Sequence, residues 1–133
     1  MSDKGITDLE KLLANLQPGL DPDAWVFCVL DAELSTVFPA LEPFAIVREA
    51  EGLTLVIRQR EAERHQIQFD GIYRKIELGV HSSLQAVGLT AAVSTALTEC
   101  GISANVIAGF YHDHVFVPAG RAEEALEAIG SLS

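Results

Sequence analysis

The strongest constraint on how this chain can fold is an internal repeat. Displacing the sequence of 133 residues by sixty lays Ile46-Val47 on Val106-Ile107, Leu55-Val56-Ile57 on Val115-Phe116-Val117, and Ala62-Glu63 on Ala122-Glu123. Each copy reads strand, crossover, hairpin, helix. Two copies in so short a chain leave little room for two separate cores. The expectation is a pseudo-two-fold arrangement, with residues 1–70 as an N-terminal half carrying a leading helix and 71–133 as a C-terminal half. Strands and helices from both halves would complete one compact unit.

The first copy is preceded by a short amphipathic helix. Leu9, Leu12, Leu13 and Leu16 recur at helical spacing, Thr7 and Glu10 have the spacing of a capping box, and Pro18-Gly19 ends the run. The leucine stripe reads as core, because the polar face carries Asp8, Glu10 and Lys11 and not the basic surface of a membrane anchor. Trp25–Leu30 is almost wholly apolar and reads as a central strand. Pro39 and Pro43 punctuate the next stretch, so 32–43 reads as an irregular segment too short for a full crossover helix. Strands at 44–48 and 53–58 form a hairpin through Gly52, and 59–65 is a short polar helix.

The second copy has a fuller crossover. A strand runs from Tyr73 to Val80. Ser82 and Gln85 then have capping-box spacing, and Ala86, Leu89, Val93, Leu97 and Cys100 form one apolar stripe. Gly101 stands where a left-handed terminating residue is wanted. A strand through Asn105, Val106 and Ile107 comes next, then the strand Val115–Pro118 and a helix with Ala122, Ala125, Leu126 and Ile129 on one side. Glu123, Glu124 and Glu127 form its solvated face. This order implies an α+β fold with a mainly antiparallel sheet and helices on one face. Gly88 is the odd residue, since glycine costs about 1 kcal/mol relative to alanine in a helix. Either helix and sheet pack closely there, or something approaches a backbone that only glycine leaves open. First-turn amides together with Ser82 and Ser83 would then face an anion such as a carboxylate.

Several of these stretches carry a family resemblance. Ile76-Glu-Leu-Gly-Val-His-Ser-Ser, Ala86-Val-Gly-Leu-Thr-Ala-Ala-Val, Gly101-Ile-Ser-Ala-Asn-Val-Ile and His112-Asp-His-Val-Phe-Val-Pro make the run Tyr73–Ile129 resemble an ACT domain, the small regulatory module of amino-acid metabolism. The whole chain is similar to small free-standing bacterial proteins with two ACT-like halves. The resemblance implies a ferredoxin-like βαββαβ tandem. It also implies a non-catalytic module that binds a small molecule, an amino acid, without a cofactor. It places the ligand near the turn His81, Ser82, Ser83 and the segment Val87, Gly88, Leu89, against a strand such as Asn105, Val106, Ile107. Backbone carbonyls of that strand would accept from the ammonium and helix amides would donate to the carboxylate. ACT domains pair, so a homodimer is expected. No attached catalytic or DNA-binding domain is expected, so that either a separate effector protein would receive the signal or ligand binding has been lost.

Read without the resemblance, His81 is either a turn residue bonded to backbone or a residue facing a ligand carboxylate. Asn105 lies on an exposed sheet face or, if buried, must find polar partners. His112, Asp113 and His114 suggest a metal site, with His81 or Asp113 as a third ligand. No ligand set of the usual zinc spacing exists, however, and a solvated hairpin turn explains them as well. No G-x-S-x-G elbow surrounds Ser82 or Ser83, so no catalytic residue is assigned. A formal net charge of -10 argues against nucleic acid and anionic membranes as partners. The N-terminus does not read as a signal peptide, and no apolar run reaches the roughly 20 residues needed to span a bilayer, so a cytoplasmic location is expected. Cys28 and Cys100 have no metal or redox spacing and read as free thiols. The rival reading is a structural adaptor that binds a protein and no ligand. The shortened first crossover favours it, and Gly88 would then serve packing alone.

Overall fold

The repeat is written into the strand register. In the computed structural model, which describes Gly5 and residues 7–133 (backbone only at Ser35, Phe38 and Pro39), two hairpins carry it. Strand β2 (Ala45–Glu49) pairs antiparallel with β3 (Gly52–Arg58), setting Ala45 on Val56, Ile46 on Leu55, Val47 on Thr54 and Arg48 on Leu53. Strand β5 (Asn105–Ala108) pairs antiparallel with β6 (Asp113–Pro118), setting Asn105 on Phe116, Val106 on Val115, Ile107 on His114 and Ala108 on Asp113. Each of the four pairs in the second hairpin is a pair of the first displaced by sixty residues. Burial repeats too. Leu55, Ile57 and Ala62 are buried, and so are Val115, Val117 and Ala122. A shift of one residue would turn these side chains to the other face, so the apolar pattern fixes the register.

The remaining elements are α1 (Leu9–Ala14), β1 (Pro18–Leu30), α2 (Leu34–Leu41), α3 (Gln59–Arg64), β4 (Tyr73–Leu78), α4 (Leu89–Glu99) and α5 (Ala122–Gly130). Packing divides the described residues into two units. One is Asp23–Tyr73, and the other joins the residues up to Pro22 to Arg74–Ser133. Strand β1 runs across this division. Within Asp23–Tyr73 the strand order is β2-β3-β1, and β1 pairs antiparallel with β3 from Trp25 on Arg58 to Leu30 on Leu53. Its core is Val26, Leu55, Ile57 and Ala62, closed by Val37 and Leu41 of α2.

The other unit has the order β1-β4-β6-β5. In a ferredoxin-like βαββαβ unit the last strand lies beside the first. Here β4, α4, β5, β6 and α5 succeed one another in sequence, and the start of β1 takes the place of the last strand. Arg74 Nη2 donates to the Asp21 carbonyl at 2.9 Å, and Lys75 Nζ pairs with Asp21 Oδ2 at 3.1 Å. The leading helix packs here as well. Leu12 and Leu16 are buried with Ile76, Val93, Leu97 and Ile129. The fold is α+β and ferredoxin-like.

Four local expectations are corrected. Asp8, not Thr7, caps α1, its Oδ1 accepting from the Glu10 amide at 2.9 Å. Pro18-Gly19 opens β1 and does not simply end the helix. Residues 34–41 do form a helix despite Pro39, because Val37 and Leu41, one turn apart, both bury in the core. The second crossover helix begins at Leu89 and not at Ser82. Its far end is as expected. Gly101 has φ +70, its amide reaches Thr98 O at 2.9 Å, and the Ile102 amide reaches Leu97 O at 2.9 Å, which is a Schellman termination.

Candidate ligand-binding site

Ten residues, 79–88, link β4 to α4, and their geometry makes the site. The strand ends where Gly79 donates to Leu16 O at 2.9 Å; a methyl group there would stand 2.9 Å from Gln17 O. The His81 ring packs at 5.2 Å from Tyr111 and 6.4 Å from Phe110, centroid to centroid. Ser82 is only 6% exposed and donates its hydroxyl to the Ser83 carbonyl at 3.4 Å. Ser83 Oγ accepts from the Gln85 amide at 3.1 Å, and the Ala86 amide returns to Ser83 O at 3.0 Å. The S-x-x-Q pair therefore lies in a turn and caps no helix.

Gly88 explains why. Its φ of +101 is incompatible with the interior of a right-handed helix, so no helix can run through it, and α4 starts after it. It is the N-cap of α4, and no side chain bonds to the helix start from that position. A methyl added at Gly88 would also lie 3.1 Å from Leu9 Cδ2. Conformation and packing of α1 thus both call for glycine. The uncapped start of α4 leaves first-turn amides without intrahelical acceptors.

The start of α4 borders a cavity of about 140 Å³. The turn contributes Ser82, Ser83, Leu84 and Ala86; the start of α4 contributes Gly88, Leu89 and Thr90; the second hairpin contributes Ala108 and Asp113. Ala108 and Asp113 face each other in the ladder. Burial pushes the Asp113 carboxyl above its usual range, with His112 pulling partly the other way. The uncapped first turn of α4 and an acid side chain thus line the same small space.

Of the residues expected from sequence, Ser82, Ser83, Gly88 and Leu89 line this cavity. His81 is not in its wall and stands instead among Phe110 and Tyr111. Val87 is 82% exposed. Asn105 is exposed and Val106 and Ile107 are half-buried, earlier on β5 than Ala108, the residue of that strand in the wall. Sequence reasoning missed Thr90, Ala108 and the recognition role open to Asp113. The missed signal was hairpin register, which carries Asp113 back beside Ala108.

The metal alternative is not supported by the placement of its ligands. Among the described residues no three or more His, Cys, Asp or Glu side chains are grouped to hold a metal ion. His114 Nδ1 instead stands 3.9 Å from Glu77 Oε1. Burial lowers the His114 pKa, Lys75 and His112 lower it further, and Glu77 opposes them.

The first copy has its own hollows. One of about 300 Å³ lies between the end of β1 and the first hairpin, with Arg48 and Leu53 at the register positions of Ala108 and Asp113. Its acids Asp31, Glu33, Glu49 and Glu51 are all exposed. A wider one of about 870 Å³ runs along Cys28–Leu30 beside Ile67 and Phe69. Cys28 is a free thiol whose pKa burial raises, so it is poorly reactive. No helix among the described residues is long and apolar enough to cross a membrane.

Known proteins share this architecture. An ACT domain model matches residues 4–74 and a second ACT domain model matches residues 69–131. A Vibrio cholerae protein of unknown function, described as a possible transport protein, shares 48% identity over 93% of this chain and 94% of that one, with a TM-score of 0.85. A protein of Agrobacterium tumefaciens is 16% identical over 89% of each chain, with a TM-score of 0.71. The ligand-free regulatory subunit of aspartate kinase from Thermus thermophilus is 14% identical over 90% of this chain and 98% of that one, with a TM-score of 0.68. The latter two share the fold. No curated protein matches the sequence. With both of its halves matched, the chain belongs to the ACT domain family and carries two ACT domains in tandem.

Proposed function

We propose that this protein is a non-catalytic regulatory module that binds a small amino acid in the cavity between the β4–α4 turn and the second hairpin. One observation carries the reading: the start of α4, which no side chain caps, and the Asp113 carboxylate line the same cavity of about 140 Å³. An amino acid presents a carboxylate and an ammonium on neighbouring atoms, so it needs donors and an acceptor this close together. The volume suits glycine, alanine or serine better than a large side chain. Membership of a family of regulatory modules supports the same reading. The output would pass to a separate effector protein, with the chain acting as a homodimer in the cytoplasm. A net charge of -10 makes nucleic acid and anionic membranes poor partners for it.

A thermal-shift screen of the proteinogenic amino acids tests this. The expected result is stabilisation by a small amino acid, since a ligand at 100 times its Kd adds about 2.7 kcal/mol to the folded state. Ala108→Leu, which fills the cavity from an exposed position on β5, should remove the shift. Stabilisation that survives this substitution would move the site elsewhere.

The adaptor reading rests on a separate observation. Leu9 lies against Gly88, so packing of α1 already accounts for part of the need for glycine there. Silence across the whole screen would favour it.

A further inference from the structure

We infer that Asp113 makes the second-half cavity selective for ligands that carry a protonated amine, and that the first half lacks this selectivity. The inference rests on the ligand-binding reading above and goes beyond it by naming the discriminating residue and limiting the site to one half. The hairpins correspond pair for pair through the sixty-residue register, so their differences can be read as substitutions at matched places. At one matched ladder pair the second hairpin has Ala108 opposite Asp113, and the first has Arg48 opposite Leu53.

The change alters both size and charge. Ala108 leaves space beside the carboxylate, and Asp113 is half-buried where it lines the cavity. In the first half Leu53 is buried in the core and carries no charge, while Arg48 would repel an ammonium. The acids near Arg48 are all exposed, so water and salt screen them. A half-buried carboxylate attracts a cation more strongly, because less water competes for it. A neutral or anionic ligand would gain nothing from Asp113 and would leave it desolvated without a partner.

Titration calorimetry of the full chain with glycine, L-alanine, acetate and propionate tests the inference. Each acid is the corresponding amino acid without its amine. The expected result is about one alanine or glycine bound per chain, at least about tenfold more tightly than propionate or acetate. Asp113→Asn should lose at least about tenfold in affinity for the amino acids and leave propionate bound no more weakly, while Asp113→Glu keeps the preference. Thermal unfolding of each variant checks that it is folded. Amino-acid binding unchanged in Asp113→Asn would overturn the inference and leave the amino-acid reading standing. Propionate binding as tightly as alanine would overturn it and leave a small-carboxylate site. Binding of none of the four would overturn it, and the larger amino acids of the thermal-shift screen would then decide the broader reading alone.

Discussion

Gly88 decides where a helix begins. At φ +101 a non-glycine residue is strained by roughly 1–2 kcal/mol, and the added methyl also presses on Leu9. Gly88→Ala should therefore lower the unfolding free energy by about 1–3 kcal/mol in urea titration. A loss within a few tenths would contradict the assigned backbone. The sequence marked this glycine as out of place, but the S-x-x-Q spacing at Ser82 suggested an earlier helix start. That pattern is local, and a turn satisfies it as well as a helix does. Asp113 was harder to read, because only its ladder partner reveals its neighbours. His114 offers a test through pH. Its pKa lies below the ordinary 6.5, from burial first and then Lys75, with Glu77 opposing. Between those two values the unfolded chain holds a proton that the folded chain lacks, so stability falls as pH drops through that window and is unaffected above it. The urea midpoint should decline from about pH 7.5 to 5.5, and His114→Gln should flatten the decline. An equal decline in the variant would remove His114 as its cause.

The leading helix shows what periodicity conveys and what it leaves out. Leucine spacing located α1 and its buried side, but not its end, since Leu16 lies past Ala14, nor the elements that it packs against. Leu12 and Leu16 bury with Ile76, Val93 and Leu97, all from the second copy. Leu16→Ala should cost about 2–5 kcal/mol although Leu16 lies outside any helix, as judged by the shift of the denaturation midpoint. A cost below about 1 kcal/mol would mean that α1 is loosely held. The hairpins were legible as elements from their apolar alternation and Gly52, but not to their last pairs, since Asp113 and His114 read as turn and are strand. The α2 helix was not, since Pro39 weighs against a helix locally and only the burial of Val37 and Leu41 reveals why one forms. Tertiary packing overrides propensity in such short elements.

At the scale of the whole molecule, the repeat and the family were both legible from sequence. The exchange by which the start of β1 completes the second unit was not, because it depends on pairing between distant segments. That exchange ties the opening residues to the β4–α4 turn, where Gly79 meets Leu16 and Gly88 meets Leu9. A small amino acid is expected in the second copy and not in the first. An amide-resolved NMR titration with L-alanine or glycine addresses this most directly. The predicted result is saturable movement of the Ser82, Ser83, Gly88, Leu89, Thr90 and Asp113 amides, with Asp31–Leu34 and Arg48–Leu53 unmoved. Shifts confined to the first copy, or no shifts with any amino acid, would contradict it.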